Sequence, residues 1–472
     1  MKSPLKFGNN LMDNNIYNLS VSELSGLLEN KEISSLELTK EFLNKIEITE
    51  PSVNAFALIT REKAFEQASE SDKKRKLNKQ SSYSNLEGIP YGLKDIFDTQ
   101  DIPTEAGSEI YKGRVPDSDA HVVKLLNANG AVLLGKTITT EFADGHPAET
   151  KNPWDANRTP GGSSTGSAVA VATRMLPYAL GTQTVGSVLR PAAYNGVVGL
   201  KPTYGLISRT GIIPQSNSCD TVGILCRNVN DAWLILKSIV GYDPNDNKSS
   251  IEANSFDINY NLNDSIPKIG FLNKYFMDES DEQVKHSTLT ALKSLSDKGA
   301  VIEELDIKID FESGFQAHRI VQQSEMAQWH EPLYLKYAKK YKSITLEYIK
   351  SGFSLNAIEY INALDSRNQM RKIAIDKLKF FDVLIMPTAS GLPPKDLSRT
   401  GDTRFQSPWT FTGLPSIAIP AGISDNGLPQ SLQLVSEPFN EKKLLNAAKW
   451  VESVLGTLPA PVTKGETSWK KE

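Results

Sequence analysis

From Gly161 to Lys201 the chain reads GGSSTGSAVAVATRMLPYALGTQTVGSVLRPAAYNGVVGLK. Two glycine-rich turns, each presenting a serine, stand on either side of a short stretch of small residues that reads as a helix. Glycine loses more conformational freedom on folding than any other residue, so such turns are costly unless they are used. A lone Gly-Gly-Ser-Ser reads as a helix cap. A second turn 24 residues later, Gly181-Thr182-Gln183-Thr184-Val185-Gly186-Ser187, shortly before Pro191-Ala192-Ala193, argues for a built site holding both Ser163 and Ser187.

Two other motifs compete for the same residues. Gly162-Ser163-Ser164-Thr165-Gly166 matches the G-x-S-x-G nucleophile elbow, with Ser164 as nucleophile. That elbow needs a buried strand before it, and the preceding NPWDANRTPG is polar and bounded by proline. A Ser-His-Asp triad also needs a histidine, and His121, His146, His286, His318 and His330 all sit in contexts typical of surface or packing residues. A phosphate loop would need Gly-Lys-Ser/Thr to close it, and none closes this turn.

Bulk properties exclude several classes. The 52 basic and 56 acidic residues leave a net charge of −4 with no polarised half, so neither a nucleic-acid footprint nor a membrane-surface patch is indicated. Lys73 to Lys76 is the one dense basic cluster and reads as a solvated loop or helix end. Residues 1–15 lack the apolar core of a signal peptide, and no window approaches a membrane span, so a soluble, cytoplasmic protein is expected. Cys219 and Cys226 are too few for a disulfide framework or a four-ligand zinc site and read as reduced packing residues.

Along the chain, Ser20 to Glu47 is helical in two pieces. Ser34-Ser35-Leu36-Glu37 has the spacing of a capping box for the second, with Leu36, Phe42, Leu43 and Ile46 as its buried stripe. Ser71 to Asn85 reads as a polar surface connection. Beyond it, helical stretches such as His121 to Asn127 alternate with apolar runs such as Ala131 to Leu134, the rhythm of an α/β protein. A β-α-β unit is predicted from Lys268–Leu272, Glu282–Leu295 and Ala300–Leu305. Residues 310–380 are mostly helical, and strand texture returns at Phe381–Thr388 and Ser416–Gly422.

A lysine upstream, Lys94 in GIPYGLKDIFD, completes a pattern with the two serines. Together with NANGAVLLGKTITTEFA, NPWDANRTPGGSSTGSA, GTQTVGSVLRPAAYNGVVGLKPTYG, DTVGILCRNVNDA, FFDVLIMPT and FTGLPSIAIPAG followed by GLPQSLQLV, it resembles the amidase signature family of serine hydrolases. These blocks span residues 88–435 in the family's order. The resemblance implies an α/β fold of one domain, a twisted mixed β-sheet covered on both faces by α-helices, and it overrides the three domains that length alone would suggest. The expected division is an N-terminal helical region over 1–80, a core bearing the site over 81–230, a variable substrate-side region over 231–380 and a return to the sheet over 381–460.

Carried over by position, the resemblance makes Ser187 the nucleophile, Ser163 the relaying serine, joined to Gly162 by a cis peptide, and Lys94 the base. The backbone N–H groups of Thr184, Val185, Gly186 and Ser187 become the oxyanion hole. The chemistry is coherent: a serine hydroxyl attacks only when a neighbour takes its proton, and lysine replaces histidine in known systems. A lysine of ordinary pKa is neutral in only about four molecules per ten thousand at pH 7, so Lys94 must be buried. The implied reaction is hydrolysis of a carboxylic amide through an acyl-enzyme, with no metal or organic cofactor, a small-molecule partner and a homodimer as one assembly state.

This chain also departs from the family pattern Asp-Thr-Gly-Gly-Ser-Ile-Arg. Gln183 replaces the acid and Leu189 the arginine, a paired loss that strands no buried charge. Arg190, one position later, is expected to point elsewhere. Val185 and Thr165 replace glycines. Trp409, Phe411 and Trp329 are candidates for an apolar substrate pocket or for plain core. The alternatives are the glutaminase subunit of a tRNA-dependent amidotransferase, against which the altered motif weighs, and a silent scaffold, against which intact Lys94, Ser163 and Ser187 weigh.

Overall fold

The computed structural model describes residues 16–77 and 83–463, so the reading of residues 1–15 and the middle of the polar 71–85 segment lie outside it. Both N-terminal helices start on reciprocal caps. Ser20 Oγ accepts from Glu23 N–H while Glu23 accepts from Ser20 N–H, opening Val21–Glu29, and Ser34 and Glu37 do the same for Ser35–Val53. Phe42, Leu43 and Ile46 are buried, and Leu36 packs half-buried at the stripe's edge.

Ser71 to Leu77 is not a connection but the last two turns of the helix Arg61–Leu77. Ala64, Ala68, Ser71 and Arg75 recur at helical spacing and face inward. The Arg75 guanidinium lies 4.6 Å from the Tyr83 ring centroid and donates to the Glu87 carbonyl at 2.7 Å. One member of the basic cluster is thus structural.

The described strands form one sheet of eleven: β1 (Phe56–Ile59), β2 (Pro90–Lys94), β3 (Val132–Thr137), β4 (Tyr178–Gln183), β5 (Val198–Lys201), β6 (Thr221–Cys226), β7 (Lys268–Leu272), β8 (Val301–Leu305), β9 (Val383–Pro387), β10 (Ser416–Ile423) and β11 (Pro429–Val435). Their spatial order is β1-β3-β2-β4-β6-β5-β10-β11-β9-β7-β8. The sheet is mixed: β3, β2 and β4 run parallel, as do β8, β7 and β9, and an antiparallel block joins them. In β2, β3, β4, β6 and β9 every residue is buried, as expected of strands with helices on both faces. The predicted β-α-β unit is present, with Asp281 capping its helix Glu282–Asp297 and Lys268 in parallel register with Val301.

The small-residue helix, Thr165–Ala172, is buried throughout, and β4 intervenes between it and the second turn. Gly166 explains its composition: a Cβ there would lie 2.1 Å from Ala55 O and 2.5 Å from Ile138 N. Cys219 and Cys226 are buried free thiols. Among the described residues no helix is long and apolar enough to cross a membrane.

Candidate active site

Two parallel neighbours, β2 and β4, end side by side, with Leu93 opposite Leu180. That register carries Lys94, the last residue of β2, to the end of β4. Lys94 is fully buried and donates to Ser163 Oγ at 2.7 Å and to Thr182 Oγ1 at 2.9 Å. Burial pushes its pKa down to about 7, opposed by the Asp220 carboxylate. Ser163 enters through the cis Gly162-Ser163 peptide. Its neighbour Ser164 N–H donates to the Ser187 carbonyl at 3.2 Å, tying the two turns together.

Ser187 lines a cavity of about 420 Å³ together with Val185, Arg190, Asp144 and His318. Among the described residues its hydroxyl makes no hydrogen bond, so the bonded chain runs from Thr182 through Lys94 to Ser163 and stops one hydroxyl short. Catalytic contacts in unliganded enzymes are commonly long and tighten only with substrate. The backbone N–H groups of Thr184, Val185, Gly186 and Ser187 make no hydrogen bond among the described residues. Unpaired backbone N–H groups are potential donors to an anion.

The loop 184–187 is held from several sides, by Gln183 and by residues that the sequence did not mark. Gln183 Oε1 accepts from Val188 N–H at 2.8 Å and Leu189 N–H at 2.9 Å, capping the helix Leu189–Asn195. Its amide donates to Thr410 Oγ1, which donates in turn to the Val185 carbonyl at 2.7 Å. A carboxylate at 183 could accept those two N–H groups but could not donate to Thr410, so glutamine suits the buried position without a counter-charge. Asp220 accepts from Thr184 Oγ1 at 2.5 Å and from the N–H groups of Gln215 and Ser216.

His318, expected to be a surface or packing residue, reaches the same loop from the helix Phe311–Tyr337. Its Nε2 lies 3.0 Å from the Thr184 carbonyl and its Nδ1 2.8 Å from Ser407 Oγ. Burial drives its pKa down to about 3. The neutral ring therefore donates from Nε2 and accepts at Nδ1.

Arg190 corrects an expectation: it points into the site. It donates to the carbonyls of Gly162 and Gly401, each at 2.6 Å, and to Thr400 Oγ1 at 3.0 Å, bracing the turn before Ser163. The Ser164 hydroxyl bonds the backbone of Thr182, donating to its carbonyl and accepting from its N–H, and no strand immediately precedes it. The elbow reading fails on both counts. Trp409 and Phe411 are core residues, 1% exposed, with Phe411 stacked on His318, and Trp329 packs against Phe142.

Loss of the Gln183 bridge is testable. Gln183→Leu removes the cap and leaves Thr410 without its donor, and we expect a stability loss of about 1–3 kcal/mol with impaired turnover, read by denaturant unfolding and assay. An unchanged unfolding midpoint would show that the bridge carries no stability.

A family model described as Amidase matches residues 37–445. The chain belongs to the amidase family. Relatives at this level include the A subunit of the glutamyl-tRNA(Gln) amidotransferase of Thermoanaerobacter pseudethanolicus, 34% identical over 92% of this chain and 96% of its own. Among solved structures, the peptide amidase of Stenotrophomonas maltophilia superposes with a TM-score of 0.80 at 28% identity, covering 95% of this chain and 99% of that one. The A subunit of the glutamyl-tRNA(Gln) amidotransferase of Thermotoga maritima gives 0.76 at 27%, covering 95% and 98%. Membership makes this chain a hydrolase of amide carbon–nitrogen bonds with the family's single-domain mixed sheet. Relatives named for a tRNA leave the expected absence of a nucleic-acid partner without support.

Proposed function

We propose that the protein hydrolyses a carboxylic amide to an acid and an amine through an acyl-enzyme on Ser187. The observation that carries this reading is the fully buried Lys94 bonded to Ser163 beside a loop of four unpaired N–H groups ending at Ser187. Neutral Lys94 takes a proton from Ser163, which takes one from Ser187 as its oxygen attacks the amide carbonyl. The N–H groups of Thr184, Val185, Gly186 and Ser187 receive the developing oxyanion, where each donor is worth about 3 kcal/mol. The amine leaves with a proton returned along the same path, and water then attacks the acyl-enzyme to release the acid. No step in this scheme needs a metal or an organic cofactor. Two buried free thiols fit a reducing compartment, and we place the protein in the cytoplasm.

A second reading is the glutaminase subunit of a tRNA-dependent amidotransferase. Similarity to proteins of that kind over nine-tenths of the chain favours it, and Gln183 with Leu189 in place of the acid and arginine weighs against it. Assaying the chain alone on anilides, primary amides and glutamine separates the two. Turnover of anilides or simple amides without a partner supports the free-standing amidase. Glutamine turnover that appears only with tRNA and a second subunit supports the amidotransferase.

A further inference from the structure

The cavity that holds Ser187 also holds a buried acid that the acyl-enzyme scheme does not use. Asp144 is 3% exposed and lines that cavity. Its Oδ1 accepts from Gln215 Nε2 at 3.1 Å, whereas its Oδ2 has no hydrogen bond. Gly145 N–H and Thr345 Oγ1, a buried hydroxyl likewise without a partner, stand beside the carboxyl and oppose the rise in its pKa. A carboxylate oxygen shut away from water without a donor is a costly arrangement, and it becomes favourable when a ligand supplies the donor.

The chain goes to some length to hold this acid in place. Phe142 and Ala143, immediately before it, adopt φ of 47° and 61°, a left-handed backbone that residues with a Cβ rarely take. Packing enforces that turn. Phe142 sits against His330, with ring centroids 4.7 Å apart, and against Tyr111 at 5.2 Å, and Glu141 is fixed by Ser108 Oγ at 2.9 Å and Lys342 N–H at 2.8 Å. Backbone held in this way at a cavity wall is characteristic of ligand sites.

The other charges lining the cavity are engaged or open to solvent. Arg190 gives both terminal nitrogens to Gly162, Gly401 and Thr400, with only its buried Nε unpaired, and Asp402 is paired with Arg404 at 2.6 Å. Arg319 lies over the Tyr348 ring, 5.8 Å from its centroid, while Asp396 and Arg399 are exposed. Asp144 alone among them combines burial with an unfilled acceptor. We propose that Asp144 is a specificity determinant that binds a protonated amino group, so that the amides preferred by this site carry an ammonium on the substituent that fills the cavity.

This rests on the amidase reading for the identity of the reaction, but it has its own pH dependence. Burial, reinforced by the nearby Glu141, pushes the Asp144 carboxyl up to about 7. Binding an ammonium requires the carboxylate, so affinity rises with pH through that value. Facing the cavity from other elements are His318, pushed down to about 3, and Tyr348, pushed up, so both stay neutral across this range, together with Arg190, Arg319, Asp396, Arg399 and Asp402. Lys94 titrates in the same interval. A ligand without the amino group therefore serves as its control.

The experiment uses the full chain with Ser187→Ala, so that binding is measured without turnover. Calorimetry compares butanamide and hexanamide with their ω-amino derivatives at pH 6 and pH 8. We expect the amino derivative of at least one pair to bind about 10-fold or more tightly at pH 8. That preference should shrink at pH 6 and collapse to near parity in Ser187→Ala/Asp144→Asn. Equal binding of both members of each pair overturns the proposal, as does a preference that survives Asp144→Asn or that grows as pH falls. Ammonium-selective binding in a protein whose wild type cleaves no amide would sink the catalytic reading and leave this one standing.

Discussion

Ser187→Ala is expected to lose amide hydrolysis by about a million-fold, the scale seen when a serine nucleophile is removed from a preorganised site. The loop 184–187 and the cavity survive the substitution, because the Ser187 hydroxyl makes no hydrogen bond among the described residues and its backbone carbonyl still receives Ser164 N–H. Folding and ligand affinity should therefore be retained, and mass spectrometry should find no acyl adduct on the variant, whereas the wild type quenched during turnover carries one on the peptide containing Ser187. Ser164→Ala is the matching control. It loses its hydroxyl's bonds to the Thr182 backbone and should cost stability far more than chemistry. Full activity in Ser187→Ala, or an adduct on Ser164, would overturn the assignment.

Lys94→Met is expected to lower turnover by about a thousand-fold or more, since Ser163 then has no group to take its proton. The wild-type rate should climb through about pH 7 and level off above it, because the base works in its neutral form and burial sets its pKa there. The same shift makes a separate prediction about stability, with a defined sign. Between about pH 7 and the ordinary lysine value of 10.5 the unfolded chain binds a proton at Lys94 that the folded chain does not. Stability therefore rises with pH across that window, and Lys94→Met, which removes the buried ammonium's cost, should flatten this rise and melt higher than wild type near neutral pH. A sharp activity optimum below pH 6, or a variant that melts lower and keeps its rate, would rule out Lys94 as base.

The two effects differ in how far they could be foreseen. Ser187, Ser163 and Lys94 sit in glycine-rich motifs whose composition has no easy structural explanation, and each lies at a turn or strand end where local sequence dictates geometry. The helix starts were legible for the same reason: Ser20 with Glu23 and Ser34 with Glu37 act within one turn. The 71–77 segment was misread because its charge masked a stripe of inward positions ending at Arg75, whose aliphatic stem is buried while its head finds a carbonyl and a ring.

His318 carried no signal, because its partner Thr184 is 134 residues away and nothing near His318 differs from an ordinary amphipathic helix. Arg190 was placed wrongly for a related reason. Its direction depends on Gly401, which reaches it from 211 residues downstream.

The sequence by itself determined the reaction class, through motif blocks that match the amidase family in order, and it determined the α/β alternation, since period and capping are local. Only the tertiary structure decided how the loop 184–187 is braced without the missing acid and arginine, and which acid on the cavity wall is buried with an oxygen unpaired. Those depend on which groups are buried together and which donors are already spent. Hydrogen-bond partners drawn from strands and helices hundreds of residues apart leave no trace in the local pattern of any one of them.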